Sequence, residues 1–176
     1  MESAIHHDGL YLLLISVHGL IRGHDLELGN DADTGGQTKY VVELARALGQ
    51  CEQVARVDLL TRRIIDEQVS DADSRSLEAL DEKVQIVRLD AGPDEYIAKE
   101  QLWDFLDSFA DRALAYVREL GRNPPLIHSH YADGGDVGTR MANMLGVPLV
   151  HPGHSLGRVK RRRLLAHGLK RDVVEE

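Results

Sequence analysis

The stretch Leu10-Tyr-Leu-Leu-Leu-Ile-Ser-Val17 is apolar at every position except Ser16. It is too short to cross a bilayer, and a strand with one wet face would alternate. Unbroken apolarity over this length marks a strand covered on both sides, which requires a parallel sheet between layers of helices. The remaining sequence supplies those layers, because short Leu-, Ile- and Val-rich runs alternate with longer segments of helical period, the pattern of βαβ units. Val41, Leu44, Ala45 and Leu48 fall at i, i+3, i+4, i+7 behind Asp33-Thr34-Gly35-Gly36, so a helix opens there and stops at Gly49. Strands are expected at 54–60 and 84–89, with the acidic stretch 66–82 between them as a loop or short helix. A long helix is expected over 99–120, a short strand through Ile127 and His128, a helix over 135–145, a fifth strand at 147–150 and a helical tail over 158–169.

Composition narrows the class. A chain of 176 residues, 43% hydrophobic, is long enough for one domain that buries roughly 70% of its unfolded surface. With 21 Lys and Arg against 29 Asp and Glu the net charge is −8, which argues against nucleic acid or anionic lipid as a partner. Cys51 stands alone, excluding an internal disulfide, and His6, His7 and Asp8 occupy the place where a secretion signal carries Lys or Arg. The reading is a soluble, cytoplasmic protein.

In an open parallel sheet, ligands sit beyond the carboxyl ends of the strands, near the point where strand order reverses. Three strand-to-helix loops put Gly beside His, Asp, Ser or Gln: His18 to Gln37, His128-Ser-His130-Tyr131-Ala-Asp133-Gly-Gly135, and His151-Pro-Gly153-His154-Ser155-Leu-Gly157. A parallel sheet gathers all three at one edge. Gly35 and Gly36 at a helix start let backbone N–H groups meet phosphate or sugar oxygens, although a Gly pair before a helix is commonly only a tight turn. About 17 residues separate them from the first strand, so the G-x-G-x-x-G dinucleotide fingerprint is excluded. His128, His130 and Asp133 are ligand types for zinc or iron, hence a metal-dependent hydrolase is an alternative; strand alternation equally makes the two His core residues. Ser155 beside His154 lacks the G-x-S-x-G elbow, which rejects a hydrolase triad. Seven basic residues lie between Arg158 and Arg171 with no acid among them, either a solvated face or a contact for an anionic sugar phosphate.

The ordered motifs Ile15-Ser-Val-His-Gly-Leu-Ile-Arg22-Gly, Asp33-Thr-Gly-Gly-Gln-Thr-Lys39, Leu60-Thr-Arg-Arg63, Lys99-Glu-Gln-Leu-Trp103, His130-Tyr-Ala-Asp-Gly-Gly135 and Gly153-His-Ser-Leu-Gly-Arg-Val-Lys160 resemble the sucrose-phosphate synthases. Sucrose synthase, whose first loop lacks the Leu-Ile-Arg-Gly run, ranks second. The resemblance implies a Rossmann-like parallel sheet flanked by helices, in the N-terminal, acceptor-side domain of a retaining GT-B glycosyltransferase. Residues 1–9 would be a tail and 10–176 a partial acceptor-binding domain, with the nucleotide-sugar-binding C-terminal domain absent and no transfer by the chain alone. The reaction implied moves glucose from UDP-glucose to fructose 6-phosphate, with no metal or other cofactor. Matched motif to motif, Gly35, Gly36 and Gln37 would line the cleft, while Lys99, Tyr131, Ser155 and Lys160 would hold fructose 6-phosphate. His154 would face the reacting sugar and Asp133 would orient hydroxyls. Pro152 stands where the family carries Thr. A stand-alone sugar-phosphate-binding or regulatory module is the alternative, and apolar surface left uncovered in a partial domain predicts self-association.

Overall fold

The computed structural model describes residues 9–24 and 36–152. Within them the chain runs β1 (Leu10–Ile15), α1 (Gly36–Gly49), β2 (Val54–Arg62), β3 (Leu77–Asp81), β4 (Val84–Leu89), α2 (Leu106–Leu120), β5 (Ile127–Ser129), α3 (Tyr131–Leu145) and β6 (Leu149–Val150), with 3-10 turns at Asp71–Ser74 and Lys99–Phe105. The strands form one sheet in the order β3-β4-β2-β1-β5-β6. Every pairing is parallel except β3 with β4.

β1 is the central strand that its apolar run predicts, and its two faces serve two cores. Tyr11, Leu13 and Ile15 join Leu102, Leu106, Phe109, Ala113, Val137 and Met141 under α2 and α3. Leu12 and Leu14 join Val41, Val42, Ala45, Val57 and Leu59 under α1. Since successive side chains of a strand point to opposite faces, only a nearly continuous apolar sequence can fill both. Strand order also reverses at β1: the chain builds outward through β2 and β4 on one side, then crosses to β5 and β6 on the other. The crevice between the ends of β1 and β5 is therefore the topological switch point.

Three sequence expectations need correction. The acidic stretch 66–82 holds a 3-10 turn and also the antiparallel edge strand β3. Its half-buried Glu78 bonds Arg88 at 2.5 Å, so an ion pair stands where an apolar residue would have marked the strand. The helix expected over 99–120 divides at Phe105 into a 3-10 turn and α2, because apolar spacing over two turns does not separate a period of 3.0 from 3.6. Helix α3 starts at Tyr131, four residues before the expected 135. Gly134 thus lies inside it along with Gly138, and a Cβ would stand 3.0 Å from the Ile15 carbonyl oxygen at the first and 2.8 Å from the Ser129 Cβ at the second. They are small so that α3 can press on β1 and β5. The expected helix over 158–169 lies outside the described residues.

Candidate functional site

The loop leaving β1 turns at His18, and Gly19 beyond it takes φ +89°. Polar contacts with the acidic stretch fix the loop's far side. Arg22 Nε donates to Asp73 Oδ2 at 2.8 Å with both residues buried. Arg88 donates to the Ile21 carbonyl, and the Gly23 N–H donates to Glu78 Oε1. Burial pushes the Asp73 carboxyl above its usual range, against the pull of Arg22. Clamped in this way, the loop presents His18 at the sheet edge.

Across the crevice, β5 ends at Ser129 and the chain enters α3 through Tyr131, which holds φ +63°. A non-glycine residue in that region costs about 1–2 kcal/mol, so the surroundings must impose it. This turn places Asp133, 2% exposed, against His18, 6% exposed. Asp133 Oδ2 accepts from the His18 backbone N–H at 3.1 Å and lies 2.8 Å from the His18 ring Nδ1. The Tyr131 ring meets the His18 ring edge-on at 4.5 Å. From the third side comes α1, whose Tyr40 ring lies 5.9 Å from that of His130. The β1 loop, α1 and the start of α3 thus meet at the switch point, bringing together parts of the first two of the three loops singled out in the sequence, while the third, beyond Pro152, lies outside the described residues.

Of the residues singled out in the sequence, Asp133, Tyr131, Gly36 and Gln37 lie on these three elements. Among the described residues a Cβ on Gly36 would meet nothing within 4 Å, unlike one on Gly134 or Gly138, so no described neighbour explains that glycine. Buried polar atoms without a hydrogen bond among the described residues include Gln37 Nε2, Asp133 Oδ1 and Ser16 Oγ, one from each of these elements. Lys99 opens the 3-10 turn that touches α3, and its ammonium lies 3.9 Å from Glu100. Gly35, His154, Ser155 and Lys160 lie outside the described residues. His151, just before that segment, bonds Ser129 Oγ through Nδ1 at 2.9 Å, and its ring covers Gly135.

Two features escaped sequence reasoning. His18 was visible in the first loop, but only the fold reveals Asp133, 115 residues away, as its partner. Arg62 stands in the Leu60-Thr-Arg-Arg63 motif with no role assigned to it there; buried at the end of β2, it donates to the carbonyls of Pro93 and Glu95 and shapes the loop leading to Lys99. The hydrolase alternative gains no support: Asp133 Oδ2 turns to His18, His130 packs 4.5 Å from His128 as a fully buried residue, and no metal-holding group of three His, Cys, Asp or Glu occurs among the described residues. No helix among those residues is long and apolar enough to cross a membrane.

Residues 9–165 match the family model described as the sucrose synthase first GT-B domain. The chain is 45% identical to sucrose-phosphate synthase of Spinacia oleracea, over 94% of this chain and 18% of that protein. It is 46% identical to that of Zea mays, over 90% and 17%. Among solved structures, sucrose-phosphate synthase from Thermosynechococcus elongatus superposes with a TM-score of 0.68 at 30% identity, covering 87% of this chain and 35% of that one. The chain therefore spans less than a fifth of the length of these curated plant relatives.

Proposed function

Because the chain belongs to the family of the sucrose synthase first GT-B domain and is homologous to sucrose-phosphate synthases, we propose that residues 10–176 contribute the acceptor side of a retaining glycosyltransferase site. The acceptor is fructose 6-phosphate, the donor UDP-glucose, and the products sucrose 6-phosphate and UDP. The observation that carries this reading is the meeting of the β1 loop, α1 and the start of α3 at the switch point, with no described residue within 4 Å of where a Cβ on Gly36 would stand. Backbone N–H groups at Gly35 and Gly36, with the Gln37 amide, suit donor sugar and diphosphate oxygens. Lys99 and Lys160 supply cations for the acceptor phosphate, and Tyr131 and Ser155 supply neutral partners. His154 faces the reacting sugar, and Asp133 orients groups at the edge of the cleft.

Transfer requires both substrates held together in one closed cleft. The 176-residue chain, matching 18% of a full-length relative, is expected to bind the acceptor without forming sucrose 6-phosphate. Titration calorimetry with fructose 6-phosphate tests the binding. Saturable heat that weakens in Lys99→Ala supports the reading; absence of heat, or indifference to that substitution, overturns it. Product formation from UDP-glucose by the purified chain would refute the inactivity.

A further inference from the structure

The His18–Asp133 pair is built for more than holding two loops together. An ionised carboxylate only accepts hydrogen bonds. Asp133 Oδ2 takes the His18 backbone N–H and faces ring Nδ1 at 2.8 Å, so in the neutral imidazole the proton sits on Nδ1. The other ring nitrogen, Nε2, then carries a lone pair, and the hydrogen bonds of His18 among the described residues involve only its backbone N–H and Nδ1. Two further observations mark this as a ligand site. Asp133 Oδ1, on a residue 2% exposed, is buried without a partner among the described residues, as is Ser16 Oγ two residues before His18. The Tyr131 backbone is held at φ +63° while its ring braces the imidazole edge-on. Backbone strain and buried unpaired polar atoms both concentrate where a protein is shaped for a ligand.

We infer that His18 is a sugar-binding residue, its ring set by Asp133 so that Nε2 accepts a hydrogen bond from a hydroxyl of the acceptor sugar. This rests on the acceptor-site reading above. The chemistry selects a hydroxyl: a phosphate oxygen is itself an acceptor and has nothing to donate to an imidazole lone pair, whereas a sugar O–H does. His18 therefore reads the sugar ring and leaves the phosphate to the lysines. Asp133 is a positioning residue, acting through His18, in the way outer partners fix the tautomer of other functional imidazoles.

The test uses the 176-residue chain with fructose 6-phosphate as probe. Long-range proton–nitrogen NMR is expected to show His18 protonated at Nδ1 and bare at Nε2, with the Nε2 resonance moving as the sugar phosphate is added. An asparagine side chain places its amide near Nδ1 and nothing at Nε2. His18→Asn is thus expected to melt like the wild type but bind about tenfold more weakly, the effect of one lost hydrogen bond. His18→Gln, which restores an acceptor near Nε2, recovers part of the loss. A proton found on Nε2, or His18→Asn binding as tightly as wild type, overturns the inference while the acceptor-site reading stands. A wild-type chain that binds no fructose 6-phosphate overturns both.

Discussion

Two buried carboxylates lie beside β1, Asp58 on β2 and Asp133 on α3, and they are finished differently. Asp58, opposite Leu13 in the middle of β1, is fully buried, and its Oδ2 accepts from the Tyr11 hydroxyl at 2.9 Å and the Tyr116 hydroxyl at 2.8 Å. Arg56 Nε lies 3.0 Å from both oxygens, Arg56 NH2 donates to the Tyr116 hydroxyl, and Gln85 reaches the same oxygen. Both oxygens of Asp58 are occupied and a cation faces them. Beyond the carboxyl end of β1, Asp133 has one oxygen on His18, and among the described residues its other oxygen has no partner and no Lys or Arg pairs with it. A network completed by its own side chains fixes a fold, whereas one left open next to a strained backbone is a place for something else to bind.

The largest effect should come from breaking the closed network. Asp58→Ala removes the acceptor for two buried hydroxyls and the partner of a guanidinium, and should cost about 3 kcal/mol, read as a lower urea midpoint. A loss below about 1 kcal/mol would mean that the network is replaceable by water. Next is the close approach of α3 to the sheet. Gly138→Ala forces a Cβ to 2.8 Å from that of Ser129 and 3.0 Å from Leu149 Cδ1, which should cost about 1–3 kcal/mol by the same measurement.

The closed network also predicts a pH response. Burial, with Asp58 beside it, pushes the Tyr116 hydroxyl up to about 12 and moves Tyr11 in the same direction. The unfolded chain releases these protons near pH 10 while the folded chain keeps them, so the unfolded state binds fewer protons. Stability should therefore hold below about pH 10 and fall as pH rises toward 12. Denaturant midpoints compared at pH 9 and 11 check the slope, and tyrosinate absorbance checks the late titration. A midpoint unchanged over that interval would rule this out.

The smallest stability effect belongs to the open end. A Cβ on Gly36 meets no atom of the described residues, so Gly36→Ala should leave the midpoint within about 0.5 kcal/mol, while weakening any ligand that uses the exposed backbone there. Should it destabilise as much as Gly138→Ala, the distinction between a packing glycine and a ligand glycine would collapse.

Much of the scaffold was legible because its signals are local. Continuous apolarity reports burial on two faces, as β1 shows, and the helical repeat of Val41, Ala45 and Leu48 reports α1. β3 was illegible because its inward Glu78 is stabilised by Arg88 rather than by apolar contact. The start of α3 was misplaced because Gly134 and Gly135 carry the signature of a loop; their small size in fact serves contacts with Ile15 and His151 that no local pattern encodes. The same divide runs through the site. Gly36, Gln37, Tyr131 and Asp133 stood out by residue type and loop position. The pairing of Asp133 with His18, and the choice of ring nitrogen it enforces, did not.

Sequence by itself determined the layers, the parallel strands and the edge at which the unusual residues gather, since each follows from periodicity over neighbouring positions. Only the tertiary structure decided which buried carboxylate is closed and which is open. Apart from Arg56, two positions from Asp58, that depends on donors from residues 47 to 115 positions away, and a hydrogen bond is satisfied in space rather than along the chain.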